Sequence, residues 1–150
     1  MSVDIGRDSV LALCAVAWAD GVVDPAESAG IRDAARQLGL SAEDSALVEQ
    51  ALGRAFDLSE VETIRMSRLT RLFTYAAGYW IASVDGALSA QETQVLGLLG
   101  DRLGLSQVAR ERAAAVVTSS RDAGAQSGQP FDLQKLRSRL SAGLSQIGDE

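Results

Sequence analysis

The residues with the most chemical potential in this sequence are carboxylates held in two short runs. Asp20, Asp24 and Glu27 fall in Asp-Gly-Val-Val-Asp-Pro-Ala-Glu; Asp85 and Glu92 fall in Asp-Gly-Ala-Leu-Ser-Ala-Gln-Glu, 65 residues further on. Clustered carboxylate oxygens are what hard divalent cations prefer as ligands. Paired carboxylates also serve as general acid and base, and Asp20 and Glu27 can approach each other across one turn. No nucleophile or glycine-rich phosphate loop accompanies them, so the catalytic use is disfavoured. The chain also has no histidine, the commonest general base and the commonest transition-metal ligand.

A structural use accounts for every one of these acids. An apolar stretch with helical spacing runs into Asp20, and Gly21 can take the positive φ that ends a helix. Asp24 is then the N-cap of the next helix, Pro25 its first residue, and Glu27 the third position of a capping box. Ser89 and Glu92 repeat the box. Asp20 and Asp85 sit at helix C-termini, against the macrodipole, so an Asx-type turn is expected to hold them. Sliding one run onto the other also aligns Ala12 with Ala77, Ala17 with Ala82, and Leu38-Gly39-Leu40-Ser41 with Leu103-Gly104-Leu105-Ser106. Self-similarity at one fixed offset identifies the building unit, here a duplicated helical hairpin.

Ligand counting separates capping from metal binding. The run is similar to the second half of an EF-hand loop, but the earlier ligand positions fall on Val16 and Trp18, or on Ile81 and Ser83. Two or three oxygens per turn fall short of the roughly six to eight that calcium takes. No cofactor is therefore expected, with a divalent cation as the alternative should the two turns lie close together and pool their acids.

Composition bounds the rest. At 150 residues the chain is one domain, able to bury roughly 68–70% of its unfolded surface. Apolar residues make up 47% but aromatics only 5%, with two prolines; the dominance of Ala and Leu favours an all-α protein. A formal charge of -6 and a pI near 4.7 argue against a nucleic-acid surface. Cys14 stands alone among apolar helix residues and reads as a small buried hydrophobe. Val10–Ala19 is apolar, but the residues before it carry no net positive charge, so it reads as the first helix of a cytoplasmic protein. No stretch reaches transmembrane length.

In order, the patterns predict helices over about 7–19, 25–38, 42–55, a short one opened by the Ser59-x-x-Glu62 box, a long one to Val84 after a break near Met66–Arg68, then 90–103 and 106–117. Arg65, Arg68 and Arg71 drift along one face of that region and read first as solvated, with contact to an anionic partner as the minority option. Gly100 aligns with Ala35, which suggests a close helix contact; Gly97 aligns with Arg32 and has no such reason. Residues 118–131 have the composition of a flexible linker. Residues 132–150 follow as an amphipathic helix whose Leu133, Leu136, Leu140 and Leu144 form a stripe that something must cover. The chain's own core or a second copy is the first choice, a foreign partner the second. The expected fold is an all-α single-domain bundle of about seven or eight helices with an internal pseudo-twofold repeat over residues 1–117.

Ala17-Trp18-Ala19-Asp20-Gly21 through Glu27, closing on Leu38-Gly39-Leu40, resembles the signature hairpin of the TerB-like tellurite-resistance family, also found in the N-terminal region of DjlA-type co-chaperones. The resemblance covers about residues 8–117 in two copies. It implies a helical bundle with pseudo-twofold symmetry, a role in metal or other stress responses, and membrane-linked protein partners. The family's acidic positions fall here on Asp20, Asp24, Glu27, Asp85 and Glu92; Ser89 replaces the middle acid of the second copy. The functional expectation is a non-enzymatic binding or scaffold protein acting through protein–protein contacts, with a homodimer as one form of assembly. The alternative is a metal-sensing protein using the paired turns.

Overall fold

The computed structural model describes residues 7–21, 23, 25–54, 56, 61, 67–83, 89–127, 136 and 138–141. Six α-helices and one 3-10 turn make up the regular structure there: α1 (Arg7–Ala17), the 3-10 turn (Trp18–Asp20), α2 (Pro25–Gln37), α3 (Ala42–Gly53), α4 (Arg68–Ala82), α5 (Ala90–Leu103) and α6 (Gln107–Ser127). No strand occurs among the described residues, so the all-α expectation holds.

The two most apolar helices lie at the centre. In α1 every residue from Ala12 to Ala17 is buried, and α1 packs against α2, α3, α4 and α5. The second, α4, packs against α1, α2, α5 and α6, burying Leu72, Phe73, Ala76, Ala77, Trp80 and Ile81. Small residues let these helices approach. A Cβ on Gly78 would lie 3.1 Å from Leu99 and 3.4 Å from Val16. One polar contact is buried between the central pair: the Ser9 and Thr74 hydroxyls are 2.8 Å apart. Thr74 Oγ1 donates to the Thr70 carbonyl at 2.7 Å, which leaves Ser9 as the donor and satisfies both buried groups. These two residues are separated by 65 positions, the offset of the sequence repeat.

Local chemistry sets the helix ends. Gly39 (φ +69°) and Gly104 (φ +70°) take the left-handed conformation that residues with a Cβ avoid. Each closes a Schellman motif. Gly39 N–H donates to Arg36 O at 3.1 Å and Leu40 N–H to Ala35 O at 3.2 Å; Gly104 N–H donates to Asp101 O at 3.1 Å and Leu105 N–H to Gly100 O at 3.0 Å. Serines then start the following helices, with Ser41 Oγ accepting from Asp44 N–H and Ser106 Oγ from Ala109 N–H, both at 3.1 Å. The α2–α3 and α5–α6 connections thus share their hydrogen bonds position for position.

Three boundaries differ from or sharpen the sequence reading. The first helix does not continue to Ala19 but tightens into the 3-10 turn, where Gly21 N–H reaches Trp18 O at 2.9 Å. The Trp18 indole N–H donates to Ala51 O at 2.7 Å, tying that turn to the last turn of α3. The break near Met66–Arg68 is the start of α4, with Ser67 Oγ accepting from Thr70 N–H at 3.1 Å; the short helix expected after Ser59 falls outside the described residues. The expected linker is the largest departure, because α6 runs on to Ser127. Nothing from Thr118 to Ser127 forbids a helix. Gly124 costs about 1 kcal/mol, proline arrives only at position 130, and the Thr118 hydroxyl bonds back to Ala114 O at 3.1 Å as helical threonines do. No helix among the described residues is long and apolar enough to cross a membrane.

Candidate functional site

Two of the five candidate acids have described side chains, and both are buried. Glu27 in the first turn of α2 is 3% exposed and Glu92 in the first turn of α5 is 4% exposed. Glu92 completes its capping box in both directions, since Ser89 N–H donates to Glu92 Oε1 at 2.9 Å and Glu92 N–H donates to Ser89 Oγ at 3.0 Å. A carboxylate at a helix N-terminus also opposes the positive end of the macrodipole. Asp24, Asp85 and the side chain of Asp20 lie outside the described residues. α5 packs against the 3-10 turn that ends at Asp20, so the first acidic turn borders the helix that carries Glu92. Among the described residues no group of three or more His, Cys, Asp or Glu side chains is placed to hold a metal ion. With one oxygen of Glu92 already accepting from the backbone, the described groups do not furnish a cation site.

Cys14 is fully buried, and its thiol is pushed up to about 12, first by burial and then by the charge of Glu49. A thiol that stays protonated at neutral pH is neither nucleophile nor metal ligand. Of the leucine stripe, Leu136 and Leu140 are 0% and 1% exposed within the same core as α1 and α4. Arg139 Nη1 donates to Ser119 Oγ at 3.2 Å and sets this segment beside α6. The chain's own bundle covers these two side chains, which leaves them no surface for a partner. Leu133 and Leu144 fall outside the described residues. The arginine face expected to be solvated divides. Arg68 is exposed, Arg65 is outside the described residues, and Arg71 Nη1 donates to Leu103 O at 3.0 Å, satisfying a carbonyl at the end of α5.

Sequence reasoning missed the contrast between the two inter-helix grooves. Between α5 and α6, the Arg110 side chain fills the space. Its Nε donates to Leu105 O at 2.9 Å and its Nη2 to Asp101 Oδ1 at 2.8 Å. Its guanidinium lies where a Cβ on Gly100 would be, 2.5 Å from Nε and 2.6 Å from Cζ. The close contact expected at Gly100 is therefore with an arginine side chain rather than with a helix backbone. Nothing in the structure explains Gly97, where an added Cβ would meet open space.

Between α2 and α3, Ser45 stands at the position of Arg110, and a groove of about 380 Å³ is open. Ala35, Leu40 and Val48 supply apolar lining, and Arg32, Arg36 and Glu49 its charges. Arg32 holds Glu49 through two hydrogen bonds of 2.9 and 3.1 Å, which keeps the Glu49 carboxyl below the usual range, while Arg36 pairs with Asp33 on its own helix. Both pairs face solvent and are worth no more than about 1 kcal/mol each. The only trace of this groove in the sequence is a trio of mismatches at the 65-residue offset: Ala35 for Gly100, Arg36 for Asp101 and Ser45 for Arg110.

Over residues 6–117 the chain matches a family described as "Protein of unknown function (DUF533)". No curated protein and no solved structure matches it.

Proposed function

We propose, for a chain that belongs to the DUF533 family through residues 6–117, a non-enzymatic binding or scaffold role of the TerB-like, stress-response kind, exercised through protein–protein contacts in the cytoplasm. The observation that carries this reading is the Ser89–Glu92 box, in which a carboxylate placed for chemistry is buried and committed to starting a helix. The open α2–α3 groove adds a surface that the described residues leave unfilled. The 65-residue correspondence of caps and turns supports reading the bundle as an internal duplication. Its test is the superposition of residues 8–42 on 73–107 in a crystal structure, Glu27 over Glu92. The functional test is chemical crosslinking of the full chain in its native cells. A discrete hetero-complex of fixed stoichiometry supports the reading, and recovery of the chain alone under every condition contradicts it.

A divalent-cation sensor is the second reading, favoured by the packing of α5 against the 3-10 turn of Asp20. It requires Asp20, Asp24 and Asp85 to add oxygens to Glu27 and Glu92, and calorimetry with the metal-stripped protein decides it.

A further inference from the structure

We draw no further inference here: the strongest candidate, the open groove between α2 and α3 lined by Ala35, Leu40 and Val48, carries none because its arginines are paired within the chain, Arg32 with Glu49 and Arg36 with Asp33, and nothing in the structure shows what covers its apolar lining.

Discussion

The sharpest consequence of the α5–α6 groove is a substitution whose sign depends on its background. Gly100 lies inside α5, where replacing glycine by alanine normally stabilises a helix by about 0.5–1 kcal/mol. Here the new Cβ would sit 2.5–2.6 Å from the Arg110 guanidinium, closer than any real contact allows. The arginine must swing out, because it is the flexible partner. Leaving forfeits its hydrogen bond to Leu105 O and its pair with Asp101. The first is a charged donor on a partly buried carbonyl, worth about 1.5–3 kcal/mol. The second involves an Asp101 side chain that is 72% exposed and adds no more than about 1 kcal/mol. The loss outweighs the propensity gain, so Gly100→Ala should destabilise the protein by about 1–2 kcal/mol. With Arg110→Ala already present there is nothing left to displace, and the same change should stabilise by about 0.5–1 kcal/mol. Urea unfolding of the four members of the cycle, compared at constant m-value, reads both numbers. The same sign for Gly100→Ala in both backgrounds would refute the plugged-groove account.

Three further outcomes follow from the same contacts. Ser89→Ala removes the Oγ half of the α5 capping box while keeping the backbone N–H that Glu92 accepts from, and should cost about 0.5–2 kcal/mol in denaturant melts, with Asp24→Ala matching it if the first run is capped alike. Leu140→Ala should cost about 2–5 kcal/mol, because the side chain is buried in the main core; a change confined to association state with an unaltered melting point would mean instead that the stripe serves assembly. Cys14 has a folded-state pKa raised to about 12 from 9.0, so between those values the unfolded chain loses a proton that the native chain keeps. Its contribution is complete below pH 9 and is lost as pH rises from 9 towards 12, with a slope of at most about 1.4 kcal/mol per pH unit; Cys14→Ala should flatten that alkaline limb in pH-dependent melts.

What the sequence made legible was local. The Ser89–Glu92 box, the left-handed glycines at 39 and 104 and the break before Arg68 depend on neighbours within about four residues, and each is where capping chemistry puts it. The helical stripe of Leu136 and Leu140 was also visible, but its cover was not, because burial is settled by whichever surface of the bundle lies opposite. The extension of α6 to Ser127 was obscured by Ser, Thr and Gly, which disfavour a helix only mildly when the preceding turns are anchored by buried Ala113 and Val117. The groove was hardest to see, since Arg110 fills its site through a long side chain bonded to the carbonyl of a turn five residues back. Only the mismatches of Ala35 with Gly100, Arg36 with Asp101 and Ser45 with Arg110 within the repeat record it.

The central claim is that the acidic turns serve architecture and that recognition lies elsewhere. Calorimetric titration of the metal-stripped, full-length protein with calcium and magnesium tests this most directly. The account predicts affinity no tighter than about 10⁻⁴ M, the range of poorly furnished oxygen sites, for wild type and for Glu92→Gln alike. Micromolar binding that disappears in Asp20→Asn and in Glu92→Gln would contradict it and make cation sensing the function of the paired turns.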